Sequence, residues 1–145
     1  MPIAPVRSDA ALAGALRDAI SRLGRRMRHH SPHPELSLGQ LAALRTIERH
    51  GAISPGELAT HEKVQPPSMT KILARLEELG YVSRTPHEAD RRQVVVAISP
   101  AGVALLDSDR RRRDAWMAQR LRSLDSTEVA ALRAALPVIE KLSRS

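Results

Sequence analysis

Cysteine is absent from this 145-residue chain. That excludes disulfides, thiolate metal ligands and thiol redox sensing. Phenylalanine is absent too, and there is one Trp and one Tyr. Recognition of single strands by stacking bases on aromatic platforms is therefore not expected. No run is apolar enough to span a membrane: the longest, Val94–Ile98, is far too short. Ala10–Leu16 follows Arg7 but is short and bracketed by Asp9, Arg17 and Asp18. It reads as helix, not as a signal-peptide core, so a cytoplasmic location without a membrane partner is expected. The seven glycines are isolated and form no phosphate-cradling loop. Neither His-Glu-x-x-His nor Gly-x-Ser-x-Gly occurs. His87, Glu88 and Asp90 carry acid–base groups but sit together on a polar stretch with no pocket around it. His29, His30 and His33 have no cysteine to support a metal site, and adjacent helical histidines face different ways. The expectation is a chain that is not an enzyme and holds no metal or cofactor.

What is present is positive charge, net +7, which favours an anionic partner. Lysine is scarce, at Lys63, Lys71 and Lys141 only; the other basic side chains apart from histidine are arginine. The most informative stretch is Val64–Gly102. Pro66 and Pro67 suit a first helical turn, where N–H groups lack intrahelical partners. Met69, Ile72, Leu73, Leu76 and Leu79 then give one apolar face, and Gly80 stops the helix. The opposite face opens with Ser68, Thr70 and Lys71, able to reach base edges and phosphates; Arg75 follows one turn on. The spacing next predicts a short strand at Tyr81–Arg84, a polar connection at Thr85–Gln93 and a β-branched strand at Val94–Ile98. The hairpin tip carries His87, Asp90, Arg91 and Arg92, and Arg84 is placed to pair with Asp90 or touch phosphate. A helix followed by a basic-tipped hairpin suits a DNA major groove and the adjacent minor groove.

The rest of the chain reads as helices. Residues 1–7 are expected as an arm. Ser8 is a cap candidate for a helix of about twenty residues striped by Leu12, Leu16, Ile20, Leu23 and Met27. Ser31–Leu36 is a loop, and Leu38–His50 a helix with Leu41, Leu44, Ile47 and also Leu38 considered for its inner side. Ser54-Pro55-Gly56-Glu57 is a capping box in which Ser54 caps a short helix, and such an N-terminus can also hold a phosphate. A short helix, a turn and a second helix with a polar start is the helix-turn-helix pattern. A long helix is expected from 100 to 122, with Val103, Leu106, Met117 and Leu124 on a seven-residue pattern. Ser126 and Glu128 open a last helix, which Pro137 should kink or split near Arg133.

The run PPSMTKILARLEELGYVSR with DRRQVVVAISPAG resembles the MarR family of regulators, and the likeness extends over about residues 10–142. The resemblance implies a mainly α (α+β) fold: a winged helix-turn-helix domain at 36–99, with an N-terminal arm and helix at 1–35 and helices at 100–145 forming a dimerisation domain. It implies a homodimer on a roughly palindromic double-stranded DNA operator, acting as a repressor of its own or neighbouring genes and released by a small aromatic or anionic effector. It places Pro67, Ser68, Thr70 and Lys71 at the major groove, Arg92 in the minor groove, and Asp90 pairing with an arginine to position the wing. The double proline departs from the family pattern and bears on which side chain reaches the bases. Arg110 and Arg113 share a stripe with Leu106 and Met117. They are expected either to pair across the dimer with Asp107, Asp109 or Asp114, or to face an effector cleft, where arginine suits a carboxylate. Trp116 is expected in the interface core. Two other readings stay open: a nucleoid-type protein without sequence preference, and a helical protein-interaction module.

Overall fold

A computed structural model describes residues 6–30, 33 and 35–145, the first three of these by backbone alone. Residues 1–5 of the expected arm and 31, 32 and 34 of the expected loop lie outside the described residues. Six helices and three strands follow in order: α1 (Val6–His30), α2 (Leu38–His50), β1 (Ala52–Ile53), α3 (Pro55–Glu62), α4 (Pro66–Glu78), β2 (Val82–Pro86), β3 (Val94–Ile98), α5 (Pro100–Leu121) and α6 (Ser126–Arg144). They form two compact units, 33–111 and the remainder, divided inside α5 between Arg111 and Arg112.

The unit at 33–111 is the winged helix-turn-helix. Its core joins Leu41, Leu44 and Ile47 of α2, Leu58 of α3, Met69, Leu73 and Leu76 of α4, and Val96 of β3. Leu38 is not part of it: it is 59% exposed, because it stands in the first turn of α2, half a turn round the helix from Ile47. That first turn is closed by a box the sequence reading missed. Ser37 Oγ accepts from Gln40 N–H at 3.2 Å, and Gln40 Oε1 accepts from Ser37 N–H at 2.9 Å. At α3 only half of the expected box forms: Ser54 Oγ accepts from Glu57 N–H at 3.2 Å, with no reciprocal bond from the Glu57 side chain.

The sheet is antiparallel in the order β1-β3-β2. The strand expected at Tyr81–Arg84 runs instead from Val82 to Pro86, with Thr85 opposite Val95 and Pro86 opposite Val94. Proline is tolerated there because β2 is an edge strand. β1 was not foreseen; it adds Ala52 opposite Ala97 and Ile53 opposite Val96.

In α5 the buried side runs through Gly102, Leu105, Leu106 and Asp109, while Val103 is 37% exposed. The seven-residue pattern thus catches the buried face at Leu106 but not at Val103. That face also takes in Asp109, which sequence logic assigns to solvent or to another subunit. It is 1% exposed and its Oδ2 accepts from Arg45 Nη2 of α2 at 2.9 Å within the same chain. Arg110 likewise bonds Asp107 at 2.6 Å and Glu48 of α2 in its own chain.

In the other unit, α1 begins at Val6, so Ser8 lies inside the helix and is not its cap. α6 is capped by Asp125, whose Oδ1 accepts from Glu128 N–H at 2.8 Å while Glu128 Oε1 accepts from Asp125 N–H at 3.0 Å. It continues unbroken through Pro137, so the expected split does not occur. α6 buries no residue; Leu132, Leu136, Val138, Ile139 and Leu142 are all exposed. Leu12, Ile20 and Leu23 of α1 are exposed as well. Trp116 is buried, with the His30 ring stacked at 6.3 Å and the Arg120 guanidinium 5.2 Å from its ring centre.

The end of α4 and the start of α5 meet at Tyr81. Gly80, at φ +80°, turns the chain, and Tyr81 N–H donates to Leu76 O at 2.9 Å. Tyr81 O then accepts from Ser99 N–H at 2.9 Å, and Gly102 packs on that same carbonyl. A Cβ at 102 would fall onto Tyr81 O and 2.7 Å from Ile98 Cγ1. Gly102→Ala is expected to cost about 1–3 kcal/mol, read as a lower Tm; an unchanged Tm would mean the junction is slack.

The Tyr81 hydroxyl donates to Glu35 Oε2 at 2.8 Å. Partial burial pushes its pKa above the usual 10.0; the hydrogen bond and negative charge of Glu35 add to that, and Arg75 opposes it. A folded pKa raised above the unfolded one gives stability that is complete below the unfolded value and is lost as pH rises through the folded one. The single tyrosine makes this directly readable: tyrosinate absorbance is expected to develop at higher pH in the native chain than in the denatured chain. Coincident titrations would contradict the arrangement.

Candidate nucleic-acid interface

α4 is amphipathic in the sense a groove-reading helix requires. Met69, Leu73 and Leu76 are buried, and Ile72 and Leu79 pack against the same core. The other side is left to solvent: Pro67, Ser68, Thr70 and Lys71 are all exposed. Gln65 precedes the helix without a side-chain cap bond, and Pro66 and Pro67 occupy its first positions. The two prolines remove two of the N–H donors that a helix N-terminus normally offers. Polar contact at this end therefore falls to side chains. Thr70 Oγ1 donates back to Pro66 O at 3.0 Å, which leaves its oxygen free to accept. Lys71 makes no ion pair among the described residues. Arg75 is half-buried and bonds Glu78 at 3.4 Å on its own helix.

The wing tip, residues 87–93, is ordered by local hydrogen bonds rather than by ion pairs. His87 N–H donates to Gln93 O at 2.8 Å, and Gln93 N–H donates to Asp90 O at 3.0 Å. His87 Nδ1 accepts from the N–H groups of Ala89, at 3.1 Å, and Asp90, at 3.4 Å. Asp90 Oδ1 accepts from the backbone N–H of Arg92 at 3.1 Å, and not from an arginine side chain as the sequence suggested. The short Asp-x-Arg spacing favours this turn, since an aspartate reaches a backbone N–H two residues on more readily than a long mobile guanidinium. Arg91 and Arg92 are exposed, with no ion pair among the described residues.

Arg84 does not pair with Asp90. Its Nε donates to Glu77 Oε2 of α4 at 2.8 Å, because β2 leaves α4 by a tight turn and runs beside its last residues. The pair ties the base of the wing to the back end of α4. Both partners are more than a third exposed, so its worth to stability is small, roughly 0–1 kcal/mol.

Ser54 is half-buried and serves as the α3 cap. Arg110 is held by Glu48 and Asp107. Arg113 and Trp116 belong to the other unit, which takes in α5 from Arg112 onward. Among the described residues, no three or more His, Asp or Glu side chains are grouped so as to hold a metal ion, and no helix is long and apolar enough to cross a membrane.

The MarR family model matches residues 36–94. An HTH-type transcriptional regulator of Mycobacterium bovis is 46% identical over 128 residues, spanning 88% of this chain and 90% of that one. The multiple antibiotic resistance protein MarR of Salmonella typhimurium is 31% identical over 99 residues, 68% of this chain and 69% of that one. The crystal structure of a transcriptional regulator protein from Pseudomonas aeruginosa aligns with a TM-score of 0.85 at 29% identity, covering 97% of this chain and 99% of that chain. An exposed polar helix start on a buried apolar back, a basic wing and these likenesses lead to one conclusion: the chain belongs to the MarR family of DNA-binding transcriptional regulators.

Proposed function

We propose that this protein is a homodimeric, sequence-specific repressor that binds a roughly palindromic duplex operator. The observation that carries the DNA-reading part is the solvent-facing start of α4. Pro67, Ser68, Thr70 and Lys71 are exposed there on a helix whose opposite face is locked in the core. In this reading those residues meet the major groove. Lys71 contributes a base or phosphate contact, and Thr70 an apolar and accepting surface. Arg92 enters the neighbouring minor groove, where negative potential is concentrated. Arg91 and Arg75 contact phosphate, and His87 and Asp90 act by shaping the tip. Arg84 positions the wing through Glu77.

Dimerisation rests on a separate observation. α6 exposes five large apolar side chains and buries none, and α1 exposes three more. Exposed apolar helix faces of that kind need a partner, and a second copy of the same helices supplies one with closed two-fold symmetry. Two recognition helices would then enter major grooves about one helical turn, ~34 Å, apart. Repression follows most simply from the operator being covered. Release by a small anionic effector belongs to the same reading, and works by favouring a dimer whose recognition helices are wrongly spaced. Arg110, already engaged by Glu48 and Asp107, is a poor receptor for it.

Lys71→Ala and Arg92→Ala are each expected to weaken binding to DNA from the upstream region of the protein's own gene by about 5- to 150-fold, or about 1–3 kcal/mol. Band-shift titration at fixed salt measures this, with sedimentation reporting a species of twice the chain mass. An Arg92→Ala protein with native affinity and native salt slope would sink the wing assignment. A monomer at micromolar concentration would sink the dimer.

A further inference from the structure

Three of the described residues have a positive φ: Gly51, Gly80 and Lys63. Each sits where a helix ends. Two are glycine, which adopts this conformation without steric penalty. The third closes α3 at φ 54°, ψ 43°, squarely in the left-handed region that disfavours a side chain with a Cβ. The hydrogen bonds show what the position demands. Lys63 N–H donates to Thr60 O at 3.3 Å and Val64 N–H to Ala59 O at 3.1 Å. At the end of α4, Gly80 N–H donates to Glu77 O at 3.0 Å and Tyr81 N–H to Leu76 O at 2.9 Å. The two caps are the same motif, and glycine is its usual residue. Nothing in the backbone asks for lysine at 63.

The side chain has no structural partner either. Lys63 is exposed and makes no hydrogen bond or ion pair among the described residues. The adjacent acid is engaged elsewhere, since the Glu62 carboxylate bonds the Thr46 hydroxyl. Strain held at a position that gains nothing structurally points to function. The place is the turn between α3 and α4, three residues before the recognition helix begins at Pro66. When that helix start lies in the major groove, the turn before it borders the sugar–phosphate backbone at the groove's edge. A compact ammonium on a flexible stem is suited to a phosphate there.

We propose that Lys63 is a DNA phosphate-contacting residue, kept in a left-handed cap that glycine would fill at lower cost. The inference rests on α4 being the recognition helix. It adds a contact outside that helix, one that fixes register and carries no base preference.

The test is a salt series of fluorescence anisotropy titrations on a mixed-sequence duplex of about three helical turns, long enough for both half-sites, with Lys63→Gly, Lys63→Gln, Lys63→Arg and Lys71→Ala beside the native chain. Lys63→Gly and Lys63→Gln are expected to bind about 3- to 10-fold more weakly, and to lower the slope of log K against log[salt] by ~1.8, the loss of one phosphate contact from each half-site. Lys63→Arg retains the native slope. Lys63→Gly should melt no lower than Lys63→Gln, which separates a lost contact from a damaged fold. A native slope in Lys63→Gln overturns the proposal. If Lys71→Ala is weakened in the same series, the recognition-helix reading survives that failure. A native chain without salt-dependent binding overturns both.

Discussion

What places α4 relative to the wing passes through the backbone of one residue, Tyr81. Its N–H closes the last turn of α4, and its carbonyl accepts from Ser99 where β3 gives way to α5. Ser99 in turn bonds Gly80 O through its hydroxyl at 2.5 Å and accepts from Gly102 N–H at 3.1 Å. Only a residue without Cβ can press onto that carbonyl, and Gly102 is there. Three elements thus share a junction of four residues. The hairpin that leaves Tyr81 must return to it, so the wing projects from a fixed base. The Arg84–Glu77 pair reinforces the same join a few residues further out.

From that junction the two features proposed to face DNA follow as a unit. The apolar back of α4 sets which way Ser68 and Lys71 point, and the β2–β3 register sets where the tip lies. The tip itself needs no salt bridge, since His87 and Asp90 hold it by accepting backbone N–H bonds. This leaves Arg91 and Arg92 uncommitted, which suits the DNA contacts proposed for them. Behind this surface, the buried Asp109 and Arg45 bind α5 to α2. A buried carboxylate is costly unless paired, so the first part of α5 is held to the DNA-binding unit by more than apolar contact.

How much of this was legible depended on whether the signal was local. The recognition helix was readable because its proline start, its three- and four-residue apolar spacing and its glycine stop all lie within sixteen residues of sequence, 65–80. β3 was readable as a β-branched run. β1 was not: two residues carry no periodicity, and their pairing is imposed by β3. Charge partners were the least readable. Arg84 had four acids within seven residues, Glu77, Glu78, Glu88 and Asp90, and the path of β2 decided among them. Asp109 stands beside arginines and looks solvated, yet packing of Leu105 and Leu106 carries it inward to Arg45. Lys63 gives no turn signal at all, because its conformation is set by the cap it must close and not by its side chain.

The central claim is that α4 and the wing together read a discrete duplex site as a symmetric pair. A footprint of the purified protein on DNA flanking its own gene, with excess nonspecific competitor at physiological salt, tests it most directly. The account requires a protected, roughly palindromic region of about two helical turns. Retarded DNA without a discrete footprint would contradict sequence-specific recognition and favour a nucleoid-type protein.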